Sequence, residues 1–152
     1  MFSAQDVLDI AVRLENNGEK TYRNALQHAQ HADLKDLLNW IAQEEQNHAR
    51  WFTRLKDRLI QGEDRHLVAE MSRALVEDVV QGQAFSLQEV DFKTIDTPEK
   101  MIRTFIGFED DTIAFYEILK TFIEDPAVTQ QLEQIIAEEK EHIEQFSRLL
   151  SG

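Results

Sequence analysis

The chain has 152 residues, enough for one domain with a continuous core, and it contains no cysteine. Disulfides, thiolate zinc sites, iron–sulfur clusters and cysteine nucleophiles are therefore excluded for this chain. Its net charge of −13 disfavours binding to nucleic acid or to an anionic membrane. Because we also find no signal-peptide pattern and no apolar run of about 18 residues, we expect a cytoplasmic protein that does not associate with membranes.

Four segments carry the 3.6-residue periodicity of amphipathic helices. Only five glycines and two prolines interrupt the chain, so long helices are expected. The four helices are predicted at residues 3–29, 33–60, 97–123 and 125–150. Thr97-Pro98 and Asp125-Pro126 each place a capping residue before a proline, which is a helix-start signal.

Short links near residues 31 and 125 join the helices into two hairpins. The predicted single domain therefore consists of a hairpin at 3–61, a crossover at 62–97 and a hairpin at 98–150. The first half of the crossover, residues 65–80, is amphipathic enough for a short extra helix. Two hairpins joined by one long connection are typical of ferritin-like bundles, so we predict an all-α, ferritin-like four-helix bundle.

The two hairpins are copies of one another at a spacing of 94 residues. In each helix, residues at steps of three or four define one face, and each face keeps its character in the copy. The face of the second helix consists of Leu34, Leu38, Ile41, Glu45, His48, Phe52 and Leu55. Its copy in the fourth helix consists of Val128, Leu132, Ile135, Glu139, His142, Phe146 and Leu149. The face of the first helix consists of Leu8, Ala11, Glu15, Gly18, Tyr22, Ala25 and Ala29. Its copy in the third helix consists of Ile102, Phe105, Glu109, Thr112, Tyr116, Leu119 and Ile123.

Six ionisable residues interrupt these apolar faces, where side chains should point into the core. They are Glu15, Glu45, His48, Glu109, Glu139 and His142. Four buried carboxylates would repel one another and lose hydration at a cost of several kcal/mol each, and no Lys or Arg lies on the faces to neutralise them. Two divalent cations would do so. Within each Glu-x-x-His motif the glutamate and the histidine lie about one helical turn apart, so both can reach the same ion. Two such motifs and two further glutamates are the ligand set of di-metal bundles. We therefore predict that these six residues bind two metal ions.

Two tyrosines lie on the same faces as these carboxylates. Tyr22 and Tyr116 follow Glu15 and Glu109 by two helical turns. Ordinary core packing is the simpler interpretation of both. The alternative is that they donate hydrogen bonds toward the metal site or assist catalysis as redox-active groups.

Other neighbours of the six residues are interpreted more simply. Glu44 and Glu138 lie on a different helical face and are expected beside the site or on the surface rather than among the ligands. Gly18 and Thr112, one turn past Glu15 and Glu109, could leave room for a small molecule. Trp40 and Trp51 fall outside the apolar faces and are expected at a contact between helices or subunits.

The segments Ile-Ala-Gln-Glu-Glu-Gln-Asn-His-Ala at 41–49 and Ile-Ala-Glu-Glu-Lys-Glu-His at 136–142 resemble the paired helices of rubrerythrins, in the ferritin-like superfamily. The resemblance covers essentially the whole chain. It implies a non-haem centre of two iron ions that change between Fe²⁺ and Fe³⁺, although the ligand types also accept Mn or Zn. The implied roles are end ligands for Glu15 and Glu109, bridges for Glu45 and Glu139, and nitrogen ligands for His48 and His142.

The sequence departs from the usual rubrerythrin pattern in two ways. Rubrerythrins usually carry a rubredoxin-type domain that binds one iron through four cysteines, and this chain has no cysteine. We therefore expect electrons to come from a separate donor protein or a small reductant. Rubrerythrins also typically have a further glutamate one turn after the third-helix ligand, where this chain has Thr112.

The resemblance implies an enzyme, a di-iron oxidoreductase that reduces hydrogen peroxide or dioxygen in defence against oxidative stress. Peroxide is the preferred oxidant. A ferroxidase or iron-storage protein, which needs a large hollow assembly, is one alternative, and a non-catalytic metal-binding protein is the other. We expect a homodimer or a larger homo-oligomer.

Overall fold

A computed structural model describes residues 4–60 and 92–151, and these two ranges contain long helices and no strand. The helices are α1 (Ala4–Leu26), α2 (Ala32–Ile60), α3 (Pro98–Lys120) and α4 (Pro126–Ser151). α1 packs along α2, α3 packs along α4, and α2 also contacts α4. The prediction of an all-α bundle built from two hairpins is confirmed.

Part of the sequence prediction lies outside the described residues, namely the extra helix at 65–80 and most of the crossover. The boundaries of the single domain stay a prediction. Within the described ranges, none of the helices is long and apolar enough to cross a membrane.

The predicted helix starts in the second hairpin are confirmed by their caps. The Thr97 hydroxyl accepts a hydrogen bond from the backbone N–H of Lys100 at 3.1 Å, and its own backbone is extended. The Asp125 carboxylate accepts one from the N–H of Ala127 at 2.9 Å. Each cap satisfies an N–H that the first helical turn leaves without a partner.

Two predicted helix ends are wrong by three residues. α1 ends at Leu26 instead of residue 29, and α3 ends at Lys120 instead of residue 123. In both cases the backbone changes to tighter i→i−3 hydrogen bonds, such as that from the His28 N–H to Ala25 O at 3.0 Å. Ala29 and Ile123 remain buried after the helices have ended, so the apolar pattern continues beyond the helices.

The repeated faces form the core. Every residue of the four faces is buried except Leu149, which is half-buried. The apolar members separate into two clusters, one containing Leu8, Phe52 and Ile135 and the other containing Ile41 and Phe105. Along each helix the predicted ligands fall between the two clusters, so a layer of ionisable side chains crosses the middle of the bundle.

Candidate metal centre

The structure brings the six predicted ligands together in the centre of the bundle. α1 and α3 contribute one glutamate each, and α2 and α4 contribute one Glu-x-x-His pair each. His48 is 4% exposed, and the other five side chains are fully buried. Because an uncompensated carboxylate is very costly to bury, a layer of four requires compensation.

The ligand atoms form two overlapping groups, within each of which they all lie within 4.8 Å of one another. The α1-side subsite consists of Glu15, Glu45, His48 and Glu139. The α3-side subsite consists of Glu45, Glu109, Glu139 and His142. Glu45 and Glu139 belong to both, so their carboxylates lie between two neighbouring positions.

Matching distances relate the two subsites as the 94-residue repeat requires. His48 Nδ1 lies 3.4 Å from Glu15 Oε1, and His142 Nδ1 lies 3.4 Å from Glu109 Oε1. The distances to the shared carboxylates are less equal. His48 Nδ1 is 2.8 Å from an oxygen of Glu139, whereas His142 Nδ1 is 3.4 Å from one of Glu45.

The inward-facing atoms of the six residues have no hydrogen-bond partner. They are one oxygen each of Glu15 and Glu109, both oxygens of Glu45 and Glu139, and Nδ1 of both histidines. The contact of 2.8 Å between His48 and Glu139 is short enough for a hydrogen bond but lacks the required direction. Buried polar atoms are nearly always satisfied. Carboxylate oxygens and imidazole nitrogens that converge without partners fit divalent first-row metal ions.

The outer nitrogen of each histidine bonds to a carboxylate on the opposite hairpin. His48 Nε2 lies 2.8 Å from Glu138, and His142 Nε2 lies 2.7 Å from Glu44. A carboxylate that accepts from Nε2–H fixes the ring orientation and leaves Nδ1 free to bind a metal. The sequence interpretation of Glu44 and Glu138 as neighbours of the site agrees with this geometry.

The two tyrosines also reach across the bundle. The Tyr22 hydroxyl donates to Glu109 Oε1 and the Tyr116 hydroxyl to Glu15 Oε1, both at 2.6 Å. Both rings are fully buried and pack against phenylalanines. Core packing alone is therefore an incomplete interpretation, because each hydroxyl also bonds to a carboxylate of the candidate site.

Burial and the protein's own charges shift the pKa values of the buried carboxylates in two directions. Burial raises the pKa of Glu45 well above its usual value, and the charge of Glu139 adds to this effect. Burial and the charge of Glu109 do the same to Glu139. Burial also opposes ionisation of Glu109, but the adjacent carboxyl group of Glu139 and the charge of His142 hold its pKa below the usual value. The two shared carboxylates therefore retain protons that a metal ion would displace.

Burial acts on the histidines in the opposite direction, but the neighbouring carboxylates outweigh it. Burial alone would lower the pKa of His142, but the nearby charge of Glu109 and the hydrogen bond to Glu44 raise it to about 10. Burial likewise opposes protonation of His48, and the charge of Glu15 is the largest influence that raises its pKa well above the usual value. Both imidazoles are thus expected to lose a proton when a metal ion binds.

Comparison with known proteins identifies the family. The family model for rubrerythrin matches residues 6–150. The chain belongs to the rubrerythrin family. Among solved structures, a ferritin-like diiron-carboxylate protein from Thermotoga maritima covers 97% of this chain and 94% of its own, with a TM-score of 0.73 and 23% sequence identity. This match supports the ferritin-like fold, and no curated protein matches the sequence.

Gly18 lies where there is little space beside the shared carboxylate of Glu45. A Cβ atom at this position would be 2.8 Å from Glu45 Oε2 and 3.2 Å from the ring of Phe108. The expectation that Gly18 leaves room for a small molecule is therefore wrong, because these two side chains fill that space. At the corresponding place in the other hairpin, buried Thr112 donates its hydroxyl to the carbonyl of Phe108 at 3.0 Å.

Proposed function

We propose that this protein binds two iron ions at its six buried residues and reduces hydrogen peroxide to water with electrons from a separate donor. The supporting observation is the pair of overlapping four-residue subsites whose inward-facing atoms lack hydrogen bonds. Glu15 and His48 would bind one ion, Glu109 and His142 the other, and Glu45 and Glu139 both. When bound, the two irons supply the two electrons that the reduction of one peroxide consumes. The ligand types also accept Mn or Zn, but peroxide reduction requires a metal that changes its oxidation state.

The outer carboxylates orient the histidines. Glu138 and Glu44 accept hydrogen bonds from Nε2–H of His48 and His142, respectively. This selects the tautomer in which Nδ1 carries a lone pair and faces the subsite. Because each carboxylate belongs to the opposite hairpin, the same two bonds also hold the hairpins at the separation that the centre needs.

The tyrosines position the end carboxylates and retain their protons. Burial raises the pKa of Tyr22 well above its usual value, and the nearby charge of Glu109 raises it further. Tyr116 is affected in the same way by burial and by Glu15. Each phenol therefore stays neutral and donates to Oε1 of its carboxylate, which leaves Oε2 without a hydrogen bond.

The surroundings of the site favour a very small oxidant. Apolar clusters lie on both sides of the ionisable layer along the bundle. Three surface clefts of about 330 to 450 Å³ that the described residues line include none of the six candidate ligands. A bulky organic substrate would need a cleft that reaches the ligands, whereas a molecule of the size of hydrogen peroxide does not.

The experiment is anaerobic loading with Fe²⁺, followed by titration with peroxide and, separately, with air. We expect about two irons per chain, oxidised much faster by peroxide than by dioxygen. Glu139→Ala should lose both metal ions, while Glu144→Ala, which removes an exposed carboxylate paired with Arg148, should keep them. Retention of two ions in Glu139→Ala would refute the ligand assignment. A hollow assembly that accumulates iron would instead support storage.

A further inference from the structure

Trp40 connects the solvent with the candidate centre through one contact. Its side chain on α2 is 42% exposed, an unusual position for a large apolar residue in the described part of the chain. The indole meets the ring of His142 edge to face, with ring centroids 5.4 Å apart and planes at 80°. His142 is fully buried, and its Nδ1 belongs to the α3-side subsite.

This contact has no equivalent in the other hairpin. The residue 94 positions after Trp40 is Gln134, which is exposed and donates to Glu138 at 3.3 Å. The ligands themselves are repeated without change, so binding of metal does not require a tryptophan at this place. Leaving much of an indole in water also sacrifices stabilisation that burial would give. Trp40 is thus explained neither by the ligand set nor by core packing.

We propose that Trp40 is the residue at which the electron donor contacts the protein, and that its indole and the His142 ring carry electrons to the iron at the α3-side subsite. The inference deepens the proposed function and rests on it. The donor is a reduced one-electron carrier, an iron–sulfur or flavin protein. In each transfer the donor loses one electron and one Fe³⁺ becomes Fe²⁺. Two transfers restore the electrons consumed when one peroxide and two protons become two waters.

The surface beside Trp40 indicates the charge of the donor. Asp36 and Glu44 lie one helical turn before and after it on the same side of α2. Asp36 is exposed and Glu44 is partly exposed, and the whole chain carries a net charge of −13. A donor with a basic contact surface would be attracted electrostatically. A second copy of this chain would bring the same acidic face and be repelled.

The kinetic test separates oxidation of the iron from its re-reduction. Iron-loaded protein is oxidised with peroxide, and reduced methyl viologen, a cationic one-electron donor, is then mixed in a stopped-flow instrument. In Trp40→Leu, peroxide oxidation should be unchanged while re-reduction slows about tenfold, equivalent to about 1.4 kcal/mol in the barrier. Trp40→Phe should recover much of the rate. Trp51→Phe is the matched control, because Trp51 is half-buried against Phe52, and it should behave as wild type.

The failure of this inference is distinguishable from failure of the proposed function. Wild-type re-reduction in Trp40→Leu, with normal oxidation, would overturn the role of Trp40. If peroxide does not oxidise the wild-type centre, the peroxidase proposal fails. The role of Trp40 can then still be tested, because oxidation with ferricyanide gives the same ferric starting state for re-reduction by methyl viologen.

A fluorescence measurement tests the contact without any turnover. In Trp51→Phe, whose emission comes from Trp40 alone, anaerobic Fe²⁺ should quench the emission strongly, and acrylamide should quench it as expected for an exposed indole. The emission of Trp51 in Trp40→Phe should respond to Fe²⁺ much less. Insensitivity of Trp40 to Fe²⁺ would overturn the inference, and so would shielding from acrylamide by a second copy of the chain.

Discussion

Substitution of Gly18 by alanine should weaken metal binding while changing the stability of the fold little. The added Cβ would lie 2.8 Å from Glu45 Oε2 and 3.2 Å from the Phe108 ring. The ring contact requires a shift of a few tenths of an ångström. The carboxylate must move further, and it can, because it is the free end of a flexible side chain. Its atoms, however, belong to both candidate subsites.

The effects on stability and on metal affinity can be measured separately, in metal-free protein and by metal titration. Alanine within a helix is favoured over glycine by about 0.8–1 kcal/mol, whereas overpacking of a core typically costs about 1–3 kcal/mol. These contributions nearly cancel, so the free energy of unfolding should change by no more than roughly 2 kcal/mol. A displaced shared ligand should lower metal affinity by about 10–100-fold, comparable with the loss of groups that only orient ligands.

The assay is urea unfolding of metal-free protein, combined with a competition titration of the metal against a chelator. Gly107 in α3 supplies the control, because nothing lies within 4 Å of a Cβ built there. Gly107→Ala should gain about 0.8–1 kcal/mol of stability through helix propensity and leave the metal affinity unchanged. If Gly18→Ala bound two ions with wild-type affinity, the placement of Glu45 between the subsites would be refuted.

Three further measurements test other parts of the site. Tyr116→Phe removes the donor to Glu15 and should cost about 1–3 kcal/mol in urea unfolding of the metal-free protein; an unchanged midpoint would contradict the hydrogen bond. Glu138→Gln should reduce metal affinity about 10–100-fold in a chelator competition, because the carboxylate orients the adjacent imidazole; wild-type affinity would exclude that role. Stability of metal-free protein should fall as the pH rises from about 6.5 towards 10, since the pKa of His142 is raised to about 10 in the fold and is about 6.5 when unfolded. Its stabilising contribution is complete below the unfolded pKa and is lost through the folded one. Urea unfolding across this range, with a chelator present, would contradict the assignment if stability rose.

The elements of the fold and the identity of the central layer could be predicted because they depend on short-range patterns. A 3.6-residue period determines which side of a helix is buried, and the 94-residue repeat places Glu45 and Glu139 at equal depth. The helix ends were less predictable. Ala29 and Ile123 are buried in turns, and an apolar residue buried in a turn has the same appearance in the sequence as one in the last helical turn.

The partners across the bundle could not be predicted, because they depend on how one hairpin lies on the other. Tyr22 shares a helical face with Glu15, yet its hydroxyl bonds to Glu109, 87 residues away. Likewise, the outer nitrogen of His48 bonds to Glu138 rather than to a residue of its own hairpin. Periodicity gives the direction of a side chain from its own helix axis. It does not give the distance to a side chain on another hairpin.

The two subsites have identical ligands but different surroundings, and the differences are of two kinds. On one side Gly18 faces the large Phe108, and the corresponding pair in the repeat is Thr112 with Leu14. All four residues are buried, so a larger ring beside a smaller neighbour conserves volume, as core packing requires. Packing therefore explains this difference.

The second difference, Trp40 in one hairpin and Gln134 at the corresponding position in the other, is not explained by packing. Both residues are exposed, so no neighbouring change in volume compensates for the difference. What distinguishes them is the contact of the indole with His142, which a glutamine does not reproduce for His48. A duplicated hairpin would make the two irons equivalent, and an external donor must approach the centre from one direction. An aromatic contact on one histidine alone makes the two subsites inequivalent, and in our proposal the ion at the α3-side subsite is the one that receives electrons.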